Sequence, residues 1–281
     1  GRGLRVKILL TGRDGQVGWE LARLLPAIGD VAAFTRAELD LADPASIVDR
    51  VRAVKPDVIV NAAAYTAVDR AETDKEQAML VNAAGPGFLA AEAQQRGALL
   101  VHYSTDYVFD GTKAAPYVET DPTHPLSVYG ESKLAGERAI QAIGGRHLIL
   151  RTSWVYAARG RNFLLTMLKL GREKPQLRVV DDQRGAPTWA RDIASTTVEL
   201  LKARSEASGV YHLTAGGATT WCGFAREIFR IAGIATPVEP ISTAEYPTPA
   251  RRPANSVLSN EKMKNTFKVS LPSWGESLER C

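Results

Sequence analysis

Tyr129 and Lys133 stand four residues apart in Tyr-Gly-Glu-Ser-Lys, a spacing that sets them on one face of a helix. A free phenol has a pKa near 10 and exchanges protons poorly at neutral pH. A neighbouring ammonium favours the phenolate and lowers that value. Such a pair is suited to give a proton to a ketone oxygen while hydride reaches the ketone carbon. Chance alone yields about 0.3 such pairs in a chain of this composition, so the context must support them. Gly12, Gly15 and Gly18 supply that context as a G-x-x-G-x-x-G turn. Without side chains, the backbone N–H groups approach a pyrophosphate at the positive end of a helix. Ser104 and Thr105 close an apolar run, and a hydroxyl there can donate to the same carbonyl oxygen. Strand alternation alone leaves the choice between them open.

These residues need elements to hold them. Val6 to Leu10 reads as a strand running into the glycines. Gln16 to Leu25 reads as a helix with Val17, Leu21, Leu24 and Leu25 on one face. Val31 to Phe34 is a second short strand. Asp43 and Pro44 open a helix as N-cap and first residue, with Ile47, Val51 and Val54 as its buried stripe. Asp57 to Val60 is a third strand. Lys75 to Gln95 is helical with a bend at Gly85-Pro86-Gly87. Leu99 to Tyr103 is a fourth strand, about Ser127 to Ile143 a helix stopped by Gly144-Gly145, and His147 to Leu150 a fifth strand. This alternation predicts an α/β protein with a doubly wound parallel sheet of Rossmann type. The Tyr–Lys helix follows the fourth strand, whose carboxyl end faces the same crevice as the glycine turn.

Beyond residue 155 the alternation weakens. Helices near 162–172, 189–203 and 222–232 are separated by short strands at 177–180 and 210–213, before the Pro-rich stretch Pro237 to Pro253. The expected division is 1–157 plus about 178–205 for the dinucleotide-binding domain. About 158–177 plus 206–281 forms a smaller substrate-binding portion whose chain partly returns to the main sheet.

Which dinucleotide binds is a matter of charge. Where an acid would hold the ribose hydroxyls of NAD, the second strand ends at Thr35-Arg36. Arg36, helped by Arg13, is suited to the 2′-phosphate of NADP, while Asp40 meets the adenine end. NADPH is therefore expected, with NADH as the second option. The net charge of +4 is spread along the chain, without the basic stripe that nucleic acid requires. No apolar run approaches the roughly 18 residues of a membrane span. Gly1 to Arg5 lead straight into a strand, so no secretory signal is expected, although the missing initial Met leaves a removed segment open. Cys222 and Cys281 form no metal spacing and fit free thiols in a reducing cytoplasm.

Together these residues resemble the extended short-chain dehydrogenase/reductase family. Within it, several segments are similar to the branch that reduces dTDP-linked keto sugars. They are Gly-Gln-Val-Gly-Trp-Glu (15–20), Asn-Ala-Ala-Ala-Tyr-Thr-Ala-Val-Asp (61–69), Ser-Thr-Asp-Tyr-Val-Phe (104–109), Arg-Thr-Ser-Trp-Val-Tyr (151–156), Gly-Ala-Pro-Thr (185–188) and Tyr-Pro-Thr-Pro-Ala-Arg-Arg-Pro-Ala-Asn-Ser (246–256). The resemblance spans nearly the whole chain. It implies reduction of the 4-keto group of dTDP-4-dehydro-L-rhamnose, the last step of dTDP-L-rhamnose synthesis. It also implies that Thr105 assists the carbonyl, Tyr129 is the acid and Lys133 tunes it. Ala62, Ala63 and Ala64 would line the cofactor, joined by Gln16, Val17, Leu41 and Tyr65. Val68, Asp106, Tyr107, Trp154 and Asn162 would meet the sugar or its nucleotide, with Ser104 beside them, and Arg252 and Asn255 the substrate phosphates.

Some similar proteins dimerise around magnesium held by carboxylates. Glu20 matches one of those carboxylates, but Arg191 stands where a second would be, and Cys281 ends the chain before a third. A cation there repels Mg2+, so no metal is expected, and a homodimer, left open, would not be metal-mediated. An epimerase or dehydratase of the same family, with Asp106 as an acid/base group, is one alternative. A non-catalytic NADP-binding regulatory subunit is another, against which the intact Thr105, Tyr129 and Lys133 count.

Overall fold

The expected alternation is realised from the first apolar run onward. In the computed structural model, which describes residues 5–281, β1 (Val6–Thr11) is followed by α1 (Gln16–Leu24), β2 (Gly29–Ala33), α2 (Pro44–Val54) and β3 (Val58–Asn61). Gly1 to Leu4, and most of the expectation about the N-terminal segment, lie outside the described residues. Next come α3 (Val68–Ala71), α4 (Lys75–Met79), a π-helical turn at Leu80–Ala84 and α5 (Gly85–Arg96). β4 (Leu99–Thr105), α6 (Val128–Ile143) and β5 (His147–Thr152) complete the first half.

The second half is more broken. It holds β6 (Val155–Tyr156), α7 (Phe163–Glu173), β7 (Leu177–Val180), β8 (Arg184–Gly185), β9 (Thr188–Trp189) and α8 (Ala190–Lys202). β10 (Gly209–His212), β11 (Thr219–Thr220), α9 (Trp221–Ala232), β12 (Val238–Ile241), α10 (Glu261–Phe267) and α11 (Trp274–Arg280) follow.

Six strands form one sheet in the order β10-β5-β4-β3-β1-β2, every neighbour parallel. The direction of winding reverses between β1 and β3, and doubly wound sheets bind ligands at the carboxyl ends of strands beside such a reversal. One face buries Ile8, Leu10, Leu21, Val60 and Val101 against α1 and α8. The other buries Leu9, Ile47, Ile59, Leu89 and Ile140 against α2, α5 and α6. Burial on both faces explains why the strands read as unbroken apolar runs. A separate core around Tyr156, Met167, Phe224 and Phe229 joins α7 and α9 in the smaller portion.

Local signals act as anticipated at several boundaries. Asp43 accepts a hydrogen bond from Ala45 N, and Ser127 caps α6 by accepting from Gly130 N. Gly144 ends α6 at φ +78°, a conformation that suits glycine. The bend at Gly85-Pro86-Gly87 takes the form of the π turn just ahead of it, because Pro86 has no N–H to continue the ladder. β2 begins earlier than expected, at Gly29 opposite Val6. β4 and β5 extend two residues further and carry Ser104, Thr105 and Thr152 on the sheet.

The strand pairing departs from the expected division of the chain at two points. β7, set with the dinucleotide domain from about 178, pairs with β12 instead. β10, set with the substrate portion, is the edge strand of the main sheet beside β5. Short apolar strands read alike whichever sheet takes them, so only the pairing assigns them.

Candidate active site

The glycine turn is built by close approach. A Cβ on Gly18 would lie 1.9 Å from Gly12 O, so α1 reaches β1 only because position 18 has no side chain. Gly12 has φ +67°, and a Cβ there would stand 2.6 Å from Ala63 N. The turn after β1 thus presses on the Ala62–Ala63 backbone after β3, at the switch point. Thr11 Oγ1 donates to Asn61 Oδ1 at 2.6 Å and accepts from Ala63 N at 3.2 Å, locking the two strand ends together. Asn61 Nδ2 in turn contacts His102 Nδ1 at 2.9 Å, behind β3 and β4.

A cavity of about 480 Å³ opens there. Its phosphate side is Gly12, Gly15, Gln16 and Val17. Arg36, Asp40 and Leu41 stand at one end, Tyr129 and Lys133 at the other, with Ala62, Ala63, Ala64 and Tyr65 along one wall. The fit to a dinucleotide is physical. The cradle is one that a Cβ at position 12 would fill, and it sits at the N-terminus of a helix with no acidic residue in its first turn. Gly18 acts by packing and does not line the cavity. Arg13 does not line it either: its guanidinium donates to Ala33 O and lies 3.5 Å from Glu38. The expected partner of Arg36 thus stands beside Glu38 at the edge of this region.

Helix α6 places Tyr129 half-buried and Lys133 buried. Lys133 Nζ donates to Tyr103 O at 2.6 Å, and burial lowers its pKa to about 8, with the carboxylate of Glu137 pulling the other way. Burial pushes Tyr129 up to about 12, opposed by a hydrogen bond with Thr105. The expected lowering of the tyrosine by Lys133 is thus not seen here, since desolvation dominates and the ammonium is turned to a backbone carbonyl.

Each of the two neighbouring hydroxyls donates to a carboxylate. Ser104 Oγ donates to Glu137 Oε1 at 2.6 Å, although Ser104 lines the cavity. Glu137 also takes a bidentate fork from Arg151, at 2.8 and 2.7 Å, and all three residues are buried. Thr105 Oγ1 donates to Asp106 Oδ1 at 3.0 Å and accepts from Tyr107 N. Asp106 is buried with Oδ2 unpartnered, and burial raises its pKa to about 7.

The π turn has a use. Asn82 within it accepts from Tyr65 N and donates to Tyr65 O and Ser132 Oγ, fastening the loop after β3 to α6. α6 comes close enough for this because a Cβ on Gly136 would meet Asn82 O at 2.0 Å.

The remaining expected residues spread around this centre. The Tyr107 ring packs edge-on against Tyr129 at 5.8 Å. Arg252 forks onto Asp69 at 2.9 and 3.1 Å, next to Val68 at the start of α3. Trp154 takes φ +47° and stacks on Trp221 at 3.6 Å. Two expected contacts are committed elsewhere. Asn162 caps α7 through Leu165 N, and its amide donates to Gln16 Oε1, Ala157 O and Arg159 O. Asn255 donates to Lys113 O and Ala115 O and lines a second cavity, bounded by Arg184 and Gly216. The sequence reading missed Arg159, Gly160, Arg161, Thr152 and Val155, all on the wall of the first cavity. The Arg-Gly-Arg triplet just before Asn162 was the available signal.

A family model described as the RmlD substrate binding domain matches residues 6–281. The chain belongs to this family. A dTDP-4-dehydrorhamnose reductase of Burkholderia thailandensis is 52% identical, with 98% of each chain covered. One from Escherichia coli K12 is 46% identical over 98% of this chain and 96% of that one. Among solved structures, a dTDP-4-dehydrorhamnose reductase of Bacillus anthracis in complex with NADP superposes with a TM-score of 0.94 at 36% identity, covering 99% of this chain and 98% of that one. The RmlD family thus accounts for the smaller portion as well as the sheet. Among the described residues, no helix is long and apolar enough to cross a membrane. No three His, Cys, Asp or Glu side chains among them gather as metal ligands.

Proposed function

We propose that this chain reduces the 4-keto group of dTDP-4-dehydro-L-rhamnose with NADPH, giving dTDP-L-rhamnose in the last step of dTDP-rhamnose synthesis, in the cytoplasm. The observation that carries this reading is one cavity that joins the glycine turn to Tyr129 and Lys133. Near-full-length likeness to reductases of that sugar supports the substrate, and likeness to an NADP complex supports the cofactor.

When bound, the nicotinamide supplies the hydride that reaches sugar C4. A phenol pushed up to about 12 keeps its proton at neutral pH, so Tyr129 serves as donor to the sugar O4. Thr105 is taken as the second hydroxyl at that oxygen on the family resemblance, and to act there its O–H turns from Asp106 Oδ1 to the sugar oxygen. Lys133 keeps one N–H on Tyr103 O and has two left for a ribose hydroxyl. Arg36 answers the 2′-phosphate, Asp40 and Leu41 the adenosine, and Gly12, Gly15, Gln16 and Val17 the pyrophosphate. Val68, Asp106, Tyr107, Trp154 and Arg252 surround the sugar nucleotide. These steps call on no metal.

The test is the fall in NADPH absorbance at 340 nm with dTDP-4-dehydro-L-rhamnose, for wild type and Tyr129→Phe, with and without EDTA. The variant is expected to lose about 10²–10⁴-fold in kcat while still binding NADPH. EDTA should leave the wild-type rate unchanged. Wild-type protein that folds and binds NADPH, yet oxidises none of it with this sugar, sinks the reading.

A further inference from the structure

Arg159, Gly160 and Arg161 line the same cavity as the glycine turn, yet they come from the loop between β6 and α7. That loop is held in place by specific bonds. Asn162 Nδ2 donates to Arg159 O at 3.0 Å, to Ala157 O at 2.9 Å and to Gln16 Oε1 at 2.9 Å. One amide therefore pins the loop to itself and to the first residue of α1. Gly160 takes φ +80° and lies against Gln16, where a Cβ would be 3.7 Å from Gln16 Cγ.

One of the two cations is also oriented. The Arg159 guanidinium lies over the Trp19 ring at 4.6 Å, on an indole that Arg23 contacts as well at 4.5 Å. An arginine so stacked has its plane fixed and its N–H edge free to bond. No carboxylate among the described residues forms a salt bridge with Arg159 or Arg161. Arg36, by contrast, stands at the far end of the cavity within 3.9 Å of Asp40. Of the charged residues that line this gap, Arg36, Lys133, Arg159 and Arg161 are cationic and Asp14 and Asp40 anionic, so its balance is positive, and it includes a helix N-terminus. Such a gap recognises a diphosphate.

We propose that Arg159 and Arg161 form a clamp that closes on a diphosphate held by the Gly12–Val17 turn, and that Asn162 and Trp19 position it. This rests on the reading of the cavity as the dinucleotide site. The clamp belongs to the half of the chain that carries the substrate portion, so it ties that half directly to the cofactor. Two molecules in the reaction bring a diphosphate: NADPH and the dTDP-sugar.

The experiment titrates NADPH by its fluorescence, and separately dTDP by calorimetry, against wild type, the Arg159→Ala/Arg161→Ala double variant and Trp19→Leu. Thermal melting confirms that each is folded. The double variant is expected to bind NADPH at least tenfold more weakly, with a shallower dependence on NaCl than wild type. Trp19→Leu, which leaves both charges but frees Arg159, should lose a smaller part of that affinity. A loss confined to dTDP, with NADPH binding unchanged, overturns the clamp on the diphosphate of the glycine turn. A folded double variant that binds NADPH and dTDP as wild type does overturns the clamp and leaves the reductase reading intact. Wild type that binds no NADPH overturns the dinucleotide reading, and the clamp with it.

Discussion

The cofactor wall and the substrate wall of this site are built by different means. The cofactor wall consists of backbone: Gly12 against Ala62 and Ala63, Gly18 against Gly12, and Lys133 on the carbonyl of Tyr103. Each contact follows from a residue's place in a strand, turn or helix, and leaves little freedom. The substrate wall consists of long side chains paired with one another across great distances in the chain. Arg252 reaches back to Asp69, and Trp154 is covered by Trp221. The pyrophosphate is common to NAD and NADP, so a backbone mould serves it. A particular sugar nucleotide calls for side chains that can be exchanged, at the cost of a wall held by weaker, part-exposed pairs.

The largest effect in this contrast is expected at the mould. Gly18→Val puts side-chain atoms where Gly12 O already stands, so α1 must move from β1. NADPH affinity should fall by more than about 100-fold, with a clear drop in melting temperature. If fluorescence titration shows NADPH bound within a few-fold of wild type, the mould is softer than argued.

An intermediate effect is expected where the two walls meet, at Glu137. Glu137→Gln leaves Arg151 buried without its partner, which should cost about 3–5 kcal/mol in urea unfolding. It also moves a pH limb. Lys133 is charged below its pKa, which burial lowers to about 8 and the Glu137 carboxylate partly restores. Wild-type kcat/KM should therefore be full below that value and fall as pH rises through 8. Without the carboxylate the limb should move to lower pH. His102, Arg151 and His212 also surround this cluster, and burial keeps His212 neutral, with its pKa near 3. A limb that stays in place would separate Glu137 from Lys133.

The smallest effect belongs to the substrate wall. Asp69 is part-exposed, and Arg252 beside it holds its carboxyl below the usual range. Asp69→Asn should change stability by at most about 1 kcal/mol. Releasing Arg252 should change KM for the sugar nucleotide a few-fold and leave NADPH binding alone. A larger loss of NADPH binding than of sugar affinity would erase the distinction between the walls.

Much of the first half was legible because its signals are local. Apolar runs, Asp43-Pro44, Gly144 and the three glycines each act over a few residues, and a repeating βαβ pattern permits few topologies. Tyr129 and Lys133 were readable because i and i+4 on a helix fix their common face. The partners of Ser104 and Thr105 were not readable, because Glu137 reaches Ser104 from another element while Thr105 turns to Asp106 beside it. Neither was the raised pKa of Tyr129, a consequence of burial.

By itself, then, the sequence determined the doubly wound sheet, the dinucleotide turn and the Tyr–Lys pair, all of which arise from spacing within single elements. Only the tertiary structure decided that β10 joins the main sheet and β7 does not, that Arg13 pairs with Glu38, and that an Arg-Gly-Arg loop lines the same cavity as the glycine turn. Those outcomes depend on which distant groups meet. No local pattern encodes that, because burial and long-range pairing belong to the packed chain as a whole.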